Sequence, residues 1–376
     1  MEPEKAILAG FRARGQEPGE PGDPFVELSR LAGTSGAQVA DIVTQPEQRP
    51  TPQFFIGPGK VAEIHERIHE LDADLVIFNH ELTPLQFRNL ERELGVKVID
   101  RTQLILDIFA MRAQSREGRI QVELAQLAYL LPRIAGKGVE LSRLGGGIGT
   151  RGPGETKIET DRRRIRARIR ALENSLTRVE KTRGVQARRR RKSGVPSIAL
   201  AGYTNAGKST LFNKLAAADA FVEDKLFATL DPLTRRVFIP SAGPCLITDT
   251  VGFIAGLPEK LMETFKSTLE GIRDADVILH VADISNPQYE EHIREVETIL
   301  LELGANTIPC ILAFNKADAL DETLRGRLDA ELRRREGAVA ISARSGAGLD
   351  DLKTAVAHAL QRARPQTRNL TGGTLP

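Results

Sequence analysis

With 376 residues the chain is long enough for two or three domains, each able to bury a core. A net charge of +3, an acidic and polar start at Met1-Glu2-Pro3-Glu4-Lys5, and the lack of any apolar run of membrane-spanning length argue against a secretory leader or a membrane anchor, so the expected location is cytoplasmic. The only cysteines, Cys245 and Cys310, lie far apart in apolar runs, which predicts reduced core residues and argues against a disulfide framework or a cysteine metal site.

Residues 1–112 read as a small α/β domain. Short apolar runs at 53–56, 75–78 and 96–99 predict strands, and helical patterns at 60–71 and 84–94 alternate with them, which favours a parallel sheet. Residues 16–24 form a loop rich in Pro, Gly and Glu. Gly57-Pro58-Gly59-Lys60 resembles a truncated phosphate loop, but it lacks the second glycine spacing and the following hydroxyl, and is read as a turn and helix start.

Ile120, Leu124, Leu127, Leu131 and Ile134 recur at alternating spacings of four and three; Ile158, Ile165, Ile169, Leu172, Leu176 and Val179 continue the same seam after a connector. Two such helices joined by a glycine-rich segment predict an antiparallel hairpin. The connector, residues 143–157, contains Gly147, Gly149 and Gly152 in the spacing of a dinucleotide fingerprint. No apolar strand precedes it and Pro153-Gly154 interrupts the helix that such a fingerprint needs, so the better reading is a mobile, arginine-bearing tip loop, with a passive linker as the alternative. From Arg162 to Lys192, fourteen Lys/Arg face only Glu173 and Glu180. This local charge of +12 leaves −9 for the rest of the chain. Such density repels itself unless it meets a polyanion, and without aromatics the contact is to phosphates and shape, so nucleic acid is the expected partner.

Residues 202–209 read Gly-Tyr-Thr-Asn-Ala-Gly-Lys-Ser between an apolar strand pattern and a helical one. This Walker A arrangement turns backbone N–H groups inward around phosphates: Gly202, Tyr203, Thr204, Asn205, Ala206 and Gly207 form the cradle, Lys208 reaches the β and γ oxygens, Ser209 offers its hydroxyl to Mg²⁺, and Thr210 opens the helix. The following segment Phe227, Ala228, Thr229, Leu230 and Asp231 is a first switch, with Thr229 preferred to Thr234 as a second Mg²⁺ ligand because Thr234 abuts a strand. A strand pattern then runs into Asp249, Thr250, Val251 and Gly252. Asp249 can hold the metal directly or through water, and the Gly252 amide can meet the γ-phosphate, so Lys208, Thr229 and Gly252 carry the catalytic contacts. Phe253 stands where Ras-type GTPases carry a glutamine and can neither accept nor donate a hydrogen bond, which predicts slow intrinsic hydrolysis.

Asn315, Lys316, Ala317 and Asp318 follow another apolar strand. A carboxylate there accepts the N1–H and N2–H₂ donors of guanine, a pair that adenine lacks. Asn315 would hold the loop and approach the N7 side, Lys316 would cover the base plane, and the backbone amide at Ser342-Ala343 would meet the guanine O6, with Arg344 closing the nucleotide-binding segment.

Residues 136–164, Gly-Lys-Gly-Val-Glu-Leu-Ser-Arg-Leu-Gly-Gly-Gly-Ile-Gly-Thr-Arg-Gly-Pro-Gly-Glu-Thr-Lys-Ile-Glu-Thr-Asp-Arg-Arg-Arg, together with Gly-Tyr-Thr-Asn-Ala-Gly-Lys-Ser-Thr and Asp-Thr-Val-Gly-Phe, resemble the HflX family of bacterial GTPases over nearly the whole chain. The resemblance implies a cytoplasmic, Mg²⁺-dependent enzyme converting GTP to GDP, a monomer in the absence of the ribosome, that binds the large ribosomal subunit and its rRNA, inserts its hairpin loop near the peptidyl-transferase region and splits stalled ribosomes. It also implies an α/β chain with an N-terminal domain at 1–112, a helical hairpin at 113–194, a P-loop GTPase domain at 195–364 and a flexible tail at 365–376. Leu233, directly after Pro232, departs from the hydroxyl residue expected there. An RNA-binding chaperone or ATP-using RNA remodeller with incidental GTP binding is the rival reading.

Overall fold

The computed structural model describes residues 3–20, 22–134, 153–216, 226–227, 229–254, 264, 269 and 271–363. The chain divides into two compact units, the first built on Met1–Val179 and the second on Glu180–Gly256 and Phe265–Pro376.

The first unit holds a four-stranded parallel sheet in the order β2-β1-β3-β4, from β1 (Lys5–Arg12), β2 (Gln38–Pro46), β3 (Leu75–Phe78) and β4 (Lys97–Asp100). The central strands β1 and β3 are buried on both faces, which is why Leu75-Val76-Ile77-Phe78 is continuously apolar. Helices α1 (Pro24–Ser35), α2 (Pro58–Leu71) and α3 (Pro84–Leu94) connect the strands and α4 (Arg101–Arg112) follows β4, with α1 packed on α4 and α2 on α3. Each of α1, α3 and α4 starts on a side-chain cap, from Asp23, Thr83 and Asp100 respectively.

Two sequence expectations change here. Residues 53–56 are not a strand: Thr51 and Phe55 form an isolated bridge that closes a turn, and Phe54, Phe55 and Ile56 are apolar because that turn is buried in the core. The strands β1 and β2 were not anticipated. Ala6, Ala9 and Gly10 dilute the strand signal of β1, and β2 is a largely polar edge strand.

After α4, helix α5 (Arg116–Ile134) is tied to the sheet by Asp100. This fully buried carboxylate accepts from Gln103 N (2.9 Å) and Tyr129 OH (2.7 Å) on one oxygen, and from Leu82 N (3.1 Å) and the Arg133 guanidinium (3.1 Å) on the other. The face of α5 that is buried includes Gln121, Val122, Ala125 and Tyr129, a second face beside the predicted seam, where Leu124 is buried and Ile120, Leu127, Leu131 and Ile134 are half-buried. Helix α6 runs Pro153–Ser193, so the last residues of the predicted connector are helical. The fold division at Val179 falls inside this helix. Its seam residues Ile165, Ile169, Leu176 and Val179 are half-buried and Leu172 is buried, while Arg168 clasps Glu123 of α5 through two hydrogen bonds of 2.6 and 2.8 Å. Residues 135–152, with most of the predicted connector, and residues 364–376, with the predicted tail, lie outside the described residues.

The second unit is a six-stranded sheet, order β10-β9-β8-β5-β7-β6, parallel except for the edge strand β6. Its strands are β5 (Ser197–Ala201), β6 (Leu233–Ile239), β7 (Gly243–Asp249), β8 (Val277–Asp283), β9 (Cys310–Asn315) and β10 (Val339–Ala340). Leu211 and Phe212 of α7 (Lys208–Ala216) join a core cluster with the strands and with α10 (Leu349–Ala363). A second cluster joins Tyr289 and Ile293 of α8 (Tyr289–Glu302) to Phe314 and to Leu328 of α9 (Glu322–Arg334). Cys245 is buried as expected; Cys310, at the first position of its strand, is exposed, so the core reading fails for it.

His280, in the middle of β8, is almost fully buried, and burial, reinforced by the positive charges of Arg335 and Lys208, pushes its pKa down to about 3. An imidazole that stays neutral when folded but gains a proton at pH 6.5 when unfolded favours the unfolded state in acid. Stability should therefore fall as pH drops below about 6.5, with a contribution approaching ~1.4 kcal/mol per pH unit. Urea midpoints measured from pH 7 to 5 should show this slope, and His280→Leu should flatten it.

Candidate nucleotide-binding site

The phosphate loop leaves the C-terminal end of the central strand β5, which lies between β7 and β8, the place where open parallel sheets receive ligands. Two glycines are fixed by space. A Cβ on Gly202 would come within 2.3 Å of the Val281 carbonyl oxygen of β8, and one on Gly207, whose φ is +92°, within 2.2 Å of Asn315 Nδ2. Asn205 takes a left-handed φ of 61° to complete the turn. Lys208 is buried, and its ammonium donates to the carbonyl oxygens of Gly202 (3.0 Å) and Tyr203 (2.8 Å), so it lies inside the arch of its own loop. Burial pushes its pKa down to about 8, against the opposing pull of the Asp249 carboxylate. The Tyr203 ring stacks face to face on His292 of α8, with centroids 3.7 Å apart.

Ser209, Thr229 and Asp249 converge. Ser209 Oγ lies 2.8 Å from Thr229 Oγ1, and both hydroxyls donate to Asp249 Oδ2, at 2.7 and 2.9 Å. The other carboxylate oxygen, Oδ1, is buried without a hydrogen-bond partner. Burial raises the Asp249 pKa, opposed by Lys208 and by the two hydroxyls. Two hydroxyls beside a carboxylate with an orphaned oxygen are a hard-oxygen set that fits Mg²⁺. Thr234, the residue not chosen, is committed to a hydroxyl pair with Thr248 on the β6–β7 ladder, at 3.0 Å.

Behind Asp249, Thr250 is fully buried and its hydroxyl donates to the Leu200 carbonyl of β5 (2.6 Å), and Val251 is buried. Gly252 packs against the loop: a Cβ there would sit 3.0 Å from Lys208 Nζ and 3.0 Å from Thr204. Phe253 is buried and its backbone pairs with the loop, donating to the Gly202 carbonyl (3.1 Å) and accepting from the Thr204 amide (2.7 Å). In the first switch, Phe227 is buried with φ 56°, Leu230 is buried and Asp231 half-buried; Ala228 lies outside the described residues.

At the base end, Asn315 is buried and cross-links two loops. Its Nδ2 donates to the Ala206 carbonyl (2.8 Å), and its Oδ1 accepts from the Ala343 amide (2.9 Å). The Ala343 amide, assigned from sequence to guanine O6, is thus engaged by Asn315, and the amide group of Asn315 by the protein, because holding the two loops together uses both of its ends. Lys316 has a left-handed φ of 65° and its ammonium pairs with Asp283 at 2.7 Å. Ala317 opens a short 3₁₀ turn that presents Asp318 to solvent. Ser342 is buried, its Oγ accepting from the Ser345 amide (3.1 Å), while Arg344 is exposed beyond it. Sequence reasoning missed Asp283 and His292. The first closes the apolar run of β8 and could have been found as a strand-end carboxylate; the second carries no local signal.

Three family models match in succession: "GTP-binding GTPase N-terminal" over residues 23–110, "GTP-binding GTPase Middle Region" over 112–190 and "50S ribosome-binding GTPase" over 197–316. The GTPase HflX of Caldanaerobacter subterraneus subsp. tengcongensis is 50% identical over 353 residues, 94% of this chain and 80% of that protein. The GTPase HflX of Escherichia coli K12 is 45% identical over 334 residues, 89% of this chain and 78% of its own. The crystal structure of the SsGBP and GDP complex covers 96% of this chain and 100% of its own, with TM-score 0.54 and 26% identity. Among the described residues, no helix is long and apolar enough to cross a membrane.

If Lys208 grips phosphate, its lowered pKa predicts a pH-dependent nucleotide affinity. Phosphate binds the protonated amine, and above about pH 8 the free protein has lost that proton and must regain it on binding. The GDP dissociation constant should rise above pH 8 by up to about tenfold per unit. In a titration of fluorescent GDP between pH 7 and 9, Lys208→Ala should bind weakly throughout and lose this dependence.

Proposed function

Because this chain belongs to the HflX family of GTPases, we propose that it is a GTP-driven switch that binds the large ribosomal subunit through rRNA and splits or rescues stalled ribosomes. The observation that carries the reading is the cationic helix α6 coupled in one chain to a GTPase module whose family is described as 50S ribosome-binding. Arg163, Arg164, Arg166, Arg170, Arg178 and Lys181 are all exposed on that helix, as a phosphate-tracking surface requires. In this reading residues 1–112 are the N-terminal domain, 113–194 the RNA-binding hairpin and 195–364 the switch, working in the cytoplasm as a monomer when off the ribosome.

In the switch, the loop amides from Thr204 to Ser209 and the Lys208 ammonium hold the phosphates, Asp318 selects guanine, and Asn315 keeps the phosphate and base loops in register. Ser209 and Thr229 would hold Mg²⁺ with Asp249 behind them, and the ion would neutralise charge on the β and γ oxygens. The Gly252 amide senses the γ-phosphate; on its loss Thr229 and Gly252 release their contacts. Phe253, buried and backbone-paired to the loop, cannot orient water, so hydrolysis by the isolated protein is slow and the ribosome supplies the acceleration.

Single-turnover GTP hydrolysis should accelerate by at least about tenfold when large subunits are added; equal rates with and without them would sink the ribosome-stimulated mechanism. Asp318→Asn should weaken GTP and improve xanthosine triphosphate, because xanthine carries an acceptor in place of the N2 donors. Changing Arg163, Arg166 and Arg170 to Gln should lower affinity for the subunit and reduce the salt slope by about 0.7–0.9 per phosphate contact removed. Replacing residues 145–154 by an equal-length Gly/Ser segment should leave GTP affinity near normal and abolish subunit splitting measured by light scattering.

A further inference from the structure

We propose that Thr204, the third residue of the phosphate loop, supplies the hydroxyl that orients the hydrolytic water at the γ-phosphate, the task that Phe253 cannot perform. The proposal rests on the GTPase activity and on the phosphate-site reading proposed above, and not on the ribosomal reading.

Three observations converge on this side chain. First, Thr204 Oγ1 is buried, in a residue 7% exposed, and has no hydrogen-bond partner. Buried threonine hydroxyls ordinarily bond back to a carbonyl or to a neighbouring side chain, so one left unpaired beside a phosphate cradle points to a ligand that completes it. Second, its place is fixed at the γ-phosphate end. The position that a Cβ on Gly252 would occupy is 3.0 Å from Thr204 Cα, 3.0 Å from Thr204 Cγ2 and 3.0 Å from Lys208 Nζ. In the function proposed above Gly252 and Lys208 meet the γ-phosphate, and Thr204 borders Gly252 through its Cα and methyl group. Its backbone is pinned there by the 2.7 Å bond from its amide to the Phe253 carbonyl. Third, the other hydroxyls of the site are engaged: Ser209 and Thr229 with each other and with Asp249, and Thr250 with Leu200. Among the described residues at this end of the cradle, Thr204 is the one whose hydroxyl is both buried and unbonded.

A hydroxyl can accept from a water and donate to a γ-phosphate oxygen at once, which lines the water up with the bond to be broken. The water oxygen forms a new bond to the γ phosphorus, the bond from that phosphorus to the β–γ bridging oxygen breaks with its electron pair leaving on GDP, and the water's proton passes to the released phosphate. Thr204 ends the cycle unchanged.

The test compares two substitutions in the full chain. Thr204→Val keeps the shape and removes the hydroxyl; Thr204→Ser keeps the hydroxyl and removes the methyl. Single-turnover hydrolysis at saturating protein should slow by about tenfold or more in the valine variant, with GDP affinity and melting temperature within experimental error of wild type. The serine variant should stay within about threefold of wild type. Hydrolysis at the wild-type rate by the valine variant would overturn the proposal. So would equal slowing of both variants, which would assign the effect to the methyl group. Loss of GDP affinity in the valine variant parallel to the loss of rate would also overturn it, because the hydroxyl would then serve ground-state binding.

Discussion

The nucleotide site depends on one close approach, that of Asn315 to Gly207. The carboxamide at the end of β9 reaches the phosphate loop only because position 207 carries no side chain, and there it holds the Ala206 carbonyl and the Ala343 amide at once. Both partners are buried, and a buried backbone group left unpaired costs about 1–3 kcal/mol. The phosphate loop and the loop after β10 are thereby fixed to each other through a single planar group. The phosphate loop is further fixed by Gly202 against β8 and by the Phe253 backbone against Thr204. Positioning of this kind is the main resource of phosphoryl transfer, where the protein supplies little covalent chemistry.

Electrostatics follow from the same burial. Lys208 and Asp249 are both taken out of water, and their pKa values move in opposite directions: burial destabilises the charged form of each, and their mutual attraction opposes the shift. Neither is fully satisfied inside the protein. Lys208 has only carbonyl oxygens as direct acceptors, and Asp249 keeps an orphaned Oδ1. A buried cation and a buried anion that the protein does not fully satisfy each cost stability, and in the function proposed above a nucleotide–Mg²⁺ pair would be complementary to both. The free protein therefore holds part of its binding determinants in a state that a ligand relieves.

Much of this arrangement was legible in the sequence because the motif residues are local. Gly202, Gly207, Lys208 and Ser209 stand in one turn, and Asp249 and Asn315 each close an apolar strand run, so spacing alone brings them into view. What was not legible is long-range. The engagement of Ala343 by Asn315 spans 28 residues and decides what that amide can offer a base. The stack of Tyr203 on His292 and the pair of Lys316 with Asp283 join elements whose proximity is set by the sheet order. In the first unit, β1 escaped notice because a central parallel strand needs only to be apolar and small enough to pack, and alanine satisfies that without resembling a strand former. The turn at 53–56 misled for the converse reason: buried aromatics in a turn carry the composition of a strand.

Asp100 illustrates how the first unit resolves a similar problem without a ligand. Its carboxylate is completely buried, yet both oxygens are filled, by two backbone amides, a phenol and a guanidinium. The same residue ends β4, caps α4 and fastens α5 through Tyr129 and Arg133, with the Arg133 guanidinium lying 3.4 Å above the Tyr129 ring. Burial also raises the Tyr129 hydroxyl pKa, so it remains a donor to that carboxylate at every physiological pH. Both oxygens of this buried carboxylate are paired within the protein, whereas Asp249 Oδ1 and Thr204 Oγ1 are buried without partners. At Asp100 the chain pairs a buried carboxylate with its own groups, and the positions of β4, α4 and α5 relative to one another follow from that pairing.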